Sequence, residues 1–201
     1  MNLEKLLAKA RKPQPFLLVL SAPSGGGKST VCDLLLKRLP WMRRCVTATT
    51  RAPRGRERDG RDYHFLSEEE FARRVSEKGF YEHARVHGNR YGTPKKEVEE
   101  ALAKGRNLAL VIDVQGGAAV KRRRKDSVLV FLAPPSMAVL KRRLEGRGTD
   151  SPESVARRLK EADAECAAGL KYDYLIINDD LETTVEALAQ VCQAARHRLA
   201  R

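Results

Sequence analysis

The stretch FLLVLSAPSGGGKST, residues 16–30, decides the fold that we predict for this chain. Residues 16–20 form an uninterrupted apolar run, which is typical of a buried parallel strand. Small residues and three glycines follow, and residues 31–39 carry apolar side chains at helical spacing. A strand, a glycine-rich turn and a helix in this order form the setting in which a Walker A pattern binds phosphate. Backbone N–H groups converge there on phosphate oxygens, and the dipole of the helix adds positive charge.

The residues after the strand have separate roles in such a loop. We expect Lys28 to reach the β- and γ-phosphates of ATP and the Ser29 hydroxyl to ligate Mg²⁺. The pattern starts with a glycine where this chain has Ala22, and an alanine would carry a steric cost if that position needed a positive φ. An ordinary glycine-rich turn is the alternative, but three glycines followed by Lys-Ser-Thr argue against it. The predicted ATP loop comprises Ala22, Pro23, Ser24, Gly25, Gly26, Gly27, Lys28, Ser29 and Thr30.

Length and composition indicate a globular protein with one domain-sized core. The chain has 201 residues, of which 42% are hydrophobic. No apolar run has membrane-spanning length, and residues 1–12 are charged and lack the apolar stretch of a signal peptide. We therefore expect no membrane partner. The cysteines lie far apart without C-x-x-C spacing, which predicts free thiols in a reducing cytoplasm. They are Cys32, Cys45, Cys166 and Cys192.

The charge balance predicts polyanionic partners. Lys and Arg number 39 against 26 Asp and Glu, which gives a net charge of +13. Nucleic acid and nucleotides both fit that charge. Aromatic residues make up only 5% of the chain, which leaves little for a base-stacking platform. We therefore expect nucleotide ligands and no specific nucleic acid, and we interpret the basic run at residues 121–125 as a solvated helix end.

Strands and helices alternate along most of the chain. Apolar runs at residues 108–114, 128–132 and 174–177 predict further buried strands, with helical patterns between them. This alternation predicts an α/β fold, in which helices flank a parallel sheet on both faces. The interruption at residues 47–93 has the pattern of a small mixed α/β unit: a short strand at 63–65, a helix at 67–78, a strand at 80–86 and a turn at 88–92.

The second buried strand ends on an acidic residue, Asp113. Open α/β sheets bind ligands at the carboxyl ends of their strands, and a carboxylate there can meet Mg²⁺. Asp113 also suits the N-cap of the next helix. The sequence leaves both roles open, and it makes Ser29 and Asp113 the predicted metal-binding residues.

Several motifs together resemble those of the guanylate kinase family. Besides the glycine-rich loop, they are TATTRAPR at residues 47–54, DGRDYHF at 59–65, YGT at 91–93, IDVQG at 112–116 and LEGRGT at 144–149. The resemblance extends over about residues 15–200. It implies Mg²⁺-assisted transfer of a phosphoryl group from ATP to GMP or dGMP, which gives ADP and GDP or dGDP.

The resemblance also implies a division of the chain into three parts. Residues 1–46, 94–135 and 169–201 would form a P-loop core. Residues 47–93 would form a GMP-binding insert, and residues 136–168 a lid that carries arginines.

The resemblance places a GMP site on the insert. Arg51 and Arg54, with Tyr63, match positions that hold the GMP phosphate, and guanidinium groups suit phosphate oxygens. Glu82 matches a position that reads guanine, because the N1–H and N2–H donors of guanine can face the two oxygens of a carboxylate. Adenine would lose these pairings. The implied GMP-binding set is Thr47, Arg51, Arg54, Tyr63, Glu82, Tyr91, Thr93 and Asp113.

Some of these residues have plainer interpretations. Thr47 and Thr93 offer hydroxyls to the base where the family usually has serine. Thr93 precedes Pro94, which we expect at the first position of a helix, so Thr93 equally suits the N-cap of that helix. Glu82 alone would suit a solvent-facing strand position. Asn178 resembles a residue near the adenine of ATP, and a turn role fits it as well.

Phosphoryl transfer needs positioning and cations more than covalent chemistry from the protein. The resemblance assigns the cations of the lid to Arg143, Arg147 and Arg158. We expect Arg142 and Arg157 on an exposed helix face. The implied catalytic set is Lys28, Arg51, Arg143, Arg147 and Arg158.

Two other functions stay open on the sequence alone. A related P-loop kinase that acts on a ribose phosphate would not need Glu82 or the two threonines. A guanylate-kinase-like module that binds a phosphorylated ligand without catalysis typically has a degraded phosphate loop, whereas Lys28, Ser29 and Asp113 are all present here. The sequence does not set the oligomeric state, the lid motion or the preference between GMP and dGMP.

Overall fold

The computed structural model describes residues 2–4, 7, 14–146 and 152–198, which form an α/β fold. The strands are β1 (Leu17–Ser21), β2 (Met42–Arg44), β3 (Ala48–Thr49), β4 (His64–Phe65), β5 (Phe80–Val86), β6 (Asn89–Pro94), β7 (Asn107–Val111), β8 (Val128–Ala133) and β9 (Tyr174–Ile177). The helices are α1 (Lys28–Arg38), α2 (Glu68–Ser76), α3 (Lys95–Ala103), α4 (Val114–Arg123), α5 (Met137–Glu145), α6 (Pro152–Gly169) and α7 (Leu181–Arg196). Among the described residues, no helix combines the length and the apolar character needed to cross a membrane.

The central sheet is parallel, with the strand order β2-β7-β1-β8-β9. Its middle strand, β1, is buried along its whole length. Leu18 and Leu20 pack into an apolar cluster with α1 and α7, whereas Leu17 and Val19 pack into a second cluster with α3 and α4. Burial on both faces explains the uninterrupted apolar run of this strand. The predicted fold class, a parallel sheet flanked by helices, is confirmed.

The strand pairing brings two loops to one edge of the sheet. β1 and β7 are neighbours in parallel register, from Leu17 opposite Leu108 to Leu20 opposite Val111. Their carboxyl ends therefore lie side by side. The glycine-rich loop after β1 and Asp113 after β7 open at this same edge.

A second sheet, β4-β3-β6-β5, is formed by strands between residues 48 and 94. β5 and β6 make an antiparallel hairpin, whose turn residues His87 and Gly88 have φ values of 50° and 85°. On α2, Phe71 stacks on Phe80 with ring centroids 4.5 Å apart. The Ser67 side chain accepts a hydrogen bond from the Glu70 N–H and so caps the start of this helix.

Helices α5 and α6 pack against each other through a small apolar cluster of Leu140, Leu144, Val155 and Ala162. The Ser136 side chain caps α5 by accepting a hydrogen bond from the Val139 N–H. The predicted lid residue Arg147 lies outside the described residues.

Two local predictions are wrong, and one strand was not predicted. The turn expected at residues 88–92 is mostly strand β6, because Asn89 and Tyr91 pair with β5 across a turn confined to His87 and Gly88. Thr93 belongs to β6 and is not a helix N-cap, since Pro94 occupies the cap and α3 begins one residue later. Strand β2 was not predicted, because its sequence, MRR, has one buried residue and no readable alternation.

Candidate active site

A cavity of about 310 Å³ opens at the carboxyl ends of β1 and β7. The loop after β1, the second sheet and helix α6 surround it. Ligands bind at this edge of parallel sheets. The predicted site residues that line it are Ser24 and Lys28 from the loop, Thr47, Arg54, Tyr63, Glu82 and Tyr91 from the insert, and Asp113 and Arg158.

Packing requires glycines in the loop. Gly25 and Gly27 both have a φ of +88°, which residues with side chains rarely adopt. A Cβ on Gly26 would lie 2.7 Å from the Ala22 Cβ, and a Cβ on Gly27 would lie 2.6 Å from Asn178 Nδ2. The loop is therefore held closely by its neighbours, and its backbone can face a ligand directly.

Ala22 occupies the position of the first Walker A glycine without strain. Its φ is not positive, since Lys78 and His87 are the only non-glycine residues with positive φ in the described part of the chain. Its side chain is buried, and its Cβ lies next to Gly26. The steric cost that the sequence raised for this position does not arise.

Lys28 folds back over the loop that precedes it. Its Nζ donates a hydrogen bond to the Ala22 carbonyl at 2.6 Å and lies 3.5 Å from the Pro23 carbonyl. The Gly26 N–H donates to the same Pro23 carbonyl at 2.8 Å. These bonds keep a positive charge at the border of the cavity.

Asn178 connects the end of β9 to the glycine-rich loop. Its Nδ2 donates to the Gly26 carbonyl at 2.8 Å, and its backbone N–H donates to Ala133 at 2.8 Å. The Asn178 carbonyl accepts a hydrogen bond from the Arg143 guanidinium at 3.0 Å. Asn178 thus supports the loop from behind, and Arg143 reaches Asn178 from helix α5.

Asp113 combines the two positions that the sequence left open. Its Oδ1 accepts a hydrogen bond from the Gly116 N–H at 3.0 Å, so it caps α4. It also lines the cavity. The capping interpretation is confirmed, and it leaves room for a ligand at the same carboxylate because a carboxylate has two oxygens.

The oxygen donors at this edge suit Mg²⁺ bound together with phosphates. Ser29 lies in the first turn of α1, and Asp113 follows the neighbouring strand β7. Among residues that the structure describes, no cluster of three or more His, Cys, Asp or Glu side chains could hold a metal by itself. Mg²⁺ is usually held by one or two protein oxygens plus substrate phosphates and water, which fits this donor set.

On the insert, Arg51 is buried and paired with an acid. Its guanidinium donates to both Glu57 oxygens, at 2.9 and 3.0 Å, and its central carbon lies 5.4 Å from the centroid of the Tyr63 ring. Burial alone would raise the pKa of Glu57, but hydrogen bonds from Arg51 and from the Arg54 N–H lower it below its usual value. Tyr63 also makes an edge contact with Tyr91. Glu57 thus holds Arg51 beside the cavity as a charged pair.

Glu82 lies deep in the cavity wall. The Thr93 hydroxyl donates to its Oε1 at 2.5 Å, and the side chain is only 7% exposed. Burial raises the pKa of Glu82 to about 7, the Thr93 hydrogen bond opposes this rise, and the nearby Asp113 charge adds to it. A Cβ on Gly116 would lie 2.7 Å from Glu82 Oε2, so the glycine makes space for the carboxylate. The buried Thr47 hydroxyl lines the same cavity.

Helix α6 supplies cations to the opposite wall. Arg158, one of the predicted lid cations, is buried and lines the cavity. Arg142 on α5 is exposed, as expected. Arg157 is exposed too, but it also lines the cavity, so the prediction of a purely solvent-facing side chain is incomplete.

Helix α6 and the insert meet across the cavity. His87 Nδ1, in the β5–β6 turn, lies 2.6 Å from Glu161 Oε2 on α6. Glu165, one turn further along α6, lines the cavity. The sequence analysis missed these residues, although Ser154, Arg158, Glu161 and Glu165 recur at helical spacing, a pattern that could have indicated one shared face.

The fold and the site together define a protein of the P-loop nucleotide-binding class, whose cavity extends from the loop to the insert. The family model for guanylate kinase matches residues 14–195, and the chain belongs to the guanylate kinase family. A guanylate kinase from Symbiobacterium thermophilum is 47% identical over 190 residues, which cover 94% of this chain and 90% of the relative. A guanylate kinase from Anaeromyxobacter dehalogenans is 50% identical over 184 residues, which cover 90% of this chain and 80% of the relative.

Solved structures agree with this assignment. The crystal structure of guanylate kinase from Anaplasma phagocytophilum matches with a TM-score of 0.79 and 36% sequence identity. The match covers 94% of this chain and 90% of that structure.

Proposed function

We propose that this chain transfers the γ-phosphoryl group of ATP to GMP or dGMP, which yields ADP and GDP or dGDP. The observation that carries the proposal is a single cavity lined both by Lys28 of the phosphate loop and by the buried carboxylate Glu82. Groups suited to bind phosphate and a carboxylate suited to recognise a base thus line the same cavity. Membership in the guanylate kinase family supports the same reaction.

The acceptor site would bind GMP through its phosphate and through its guanine base. Arg51, Arg54 and Tyr63 would hold the phosphate, for which Arg51 must exchange one anion, Glu57, for another. Glu82 would accept hydrogen bonds from guanine N1–H and N2–H, with Thr93 holding its carboxylate in place. The hydroxyls of Thr47 and Thr93, together with Tyr91, would complete the pocket.

The donor site would be the glycine-rich loop. Residues 22–30 would surround the triphosphate, and Asn178 would hold the loop in the shape that the phosphates need. Lys28 would leave its carbonyl partners to meet the β- and γ-phosphates. The loop and Asp113 line one cavity at the same edge of the sheet, which supports a transfer between phosphates bound side by side there.

Transfer would depend on charge brought to the moving phosphoryl group. Ser29 and Asp113 would hold a bound Mg²⁺, which would neutralise charge at the phosphates. Arg158 lines the cavity and would stabilise the transferred group, with Arg143 and Arg147 of the lid as its predicted helpers. Closure of the insert, residues 47–93, and of the lid, residues 136–168, on the remaining core would exclude water. A cytoplasmic location and a role in purine nucleotide metabolism belong to the same proposal.

The test is GMP-dependent release of ADP, measured across a panel of acceptors. We expect GMP and dGMP to be good acceptors, and AMP, UMP and ribose phosphates to be poor ones, because they cannot satisfy Glu82. Equal rates with GMP and AMP would refute the assignment of the base. Binding of GMP without any ADP release would support a non-catalytic module instead.

A further inference from the structure

Helix α6 carries a carboxylate, Glu165, to which the proposed transfer assigns no role. Glu165 lines the cavity together with Ser24 and Lys28 of the phosphate loop. Its Oε2 is buried and accepts no hydrogen bond within the described part of the chain. A buried carboxylate with incomplete hydrogen bonding is costly unless an opposite charge compensates it.

The phosphate loop supplies part of this compensation. Burial raises the pKa of Glu165, whereas the charge of Lys28 and the backbone N–H of Ser24 both act to lower it. An ammonium group and loop N–H groups are also what a P-loop offers to phosphates. Glu165 therefore interacts with an ammonium group and a backbone N–H, which are groups that would also bind the phosphates of a nucleotide.

We propose that Glu165 is an internal anion that competes with the phosphates of ATP and ADP for the phosphate loop. It is a positioning residue that acts through Lys28, whose Nζ rests on the loop carbonyl of Ala22. Nucleotide binding moves the carboxylate away, because two anions share one cation only at a cost in energy. Its return assists the departure of ADP. The inference rests on the proposed function, since it takes nucleotide phosphates as the competitor.

The direct test is the affinity for ADP of a neutral variant. Glu165→Gln keeps the shape of the side chain and removes its charge. Calorimetric titration with ADP and Mg²⁺ should give a Kd about three- to tenfold lower than that of the unsubstituted chain, because the competing state is lost. In steady state the KM for ATP should fall by a similar factor, without a rise in kcat.

The choice of probe separates charge competition from a change of shape. Pyrophosphate, measured as a competitor of ADP, should bind more tightly to Glu165→Gln by a similar factor. Adenosine has no phosphate and should bind both proteins equally. Tighter binding of adenosine would overturn the proposal, because it would show that the base site had changed.

Three further variants control the experiment. Asp163→Asn removes the same charge from an exposed position on the same helix, and it should leave the Kd for ADP within about 1.5-fold. Glu165→Asp keeps the charge and should stay within about twofold of the unsubstituted chain. Glu165→Ala provides a second neutral side chain if the glutamine variant fails to fold, as judged from its Tm.

Unchanged or weaker binding of ADP by the folded neutral variants would overturn the proposal. Tightening that Asp163→Asn shares would also overturn it, because the effect would then belong to net charge. Absence of GMP-dependent turnover would refute the proposed function but would leave the ADP and pyrophosphate comparison valid. The two failures are therefore distinguishable.

Discussion

The two walls of the cavity differ in the chemical groups that they offer to a ligand. We expect the phosphate-loop wall to use backbone N–H groups, in a turn where Gly25, Gly26 and Gly27 are packed too closely for side chains. The insert wall uses side chains from distant positions, such as Arg51 and Glu82, which are oriented by Glu57 and Thr93. A backbone wall recognises phosphate in any nucleotide, whereas a side-chain wall can distinguish one base from another.

The two walls also differ in their support. The loop rests on the central sheet, whose middle strand is buried on both faces. The insert has only a small cluster built on Ala48, Phe71 and Phe80. Regions with few buried apolar contacts open at lower cost, so the insert is the wall that we expect to move.

The largest effect should come from removing the cation of the loop wall. Lys28→Ala should lower kcat by about 10²- to 10³-fold, because the phosphates lose a preorganised positive charge. GMP binding should persist, since the insert wall is intact. An assay of ADP release measures kcat, and a titration with GMP measures its affinity. Lys37→Ala, which changes an exposed lysine on the same helix, is the control. Loss of GMP binding in Lys28→Ala would show that the walls are not separate.

The next effect concerns the choice of base. Glu82→Gln presents an N–H₂ group to guanine donors, and it should cost about 1–3 kcal/mol, or about 5- to 150-fold in kcat/KM for GMP. Turnover of AMP should not fall, because AMP does not use the carboxylate. Glu77→Gln, at an exposed position that caps the end of α2 in the insert, should behave like the unsubstituted chain. An equal loss with GMP and AMP would argue for a structural role of Glu82.

A smaller effect should be a change of kcat/KM for GMP with pH. Guanine needs the charged form of Glu82, whose pKa burial raises to about 7. The carboxylate is therefore mostly protonated below that pH, and kcat/KM for GMP should rise by about tenfold between about pH 6 and about pH 8. Glu82→Gln retains only the titration of the GMP phosphate, so its profile should be flatter. Identical profiles for the two proteins would contradict this role.

The smallest effect should come from restoring the Walker A glycine. Ala22→Gly should change kcat by less than about twofold and should lower stability by about 0.4–1 kcal/mol, because Ala22 fits its backbone without strain. Gly26→Ala adds a methyl group on the other side of the same contact, where it would meet Ala22 and Pro23. It should impair ATP binding strongly. Thermal unfolding and ATP titration compare the two variants.

The backbone wall could be predicted from the sequence because its parts are adjacent in the chain. A buried strand, three glycines and Lys28 follow each other within fifteen residues, 16–30, and each obeys local rules. The side-chain wall could not be derived in this way. Arg51 and Glu82 were placed by resemblance to a family, since nothing local shows that they share a cavity.

The elements and residues that were missed depend on tertiary contacts. Strand β6 begins in a stretch of turn-forming residues and exists because β5 pairs with it. Glu57 and Glu165 are surface-like in sequence, and only the fold shows that they face Arg51 and the phosphate loop. Asn178 was named from the sequence, but its hydrogen bond to Gly26, 152 positions away, was not foreseen. No pattern along the chain reports such a distance.

The contact between His87 and Glu161 bears on the order in which ligands enter. It joins the hairpin tip to α6 at 2.6 Å, at the border of the cavity that His87 lines. A first substrate that parts the two sides on entry would leave an opening that is already formed for the second. The two binding events would therefore help each other, even though each nucleotide has a wall of its own.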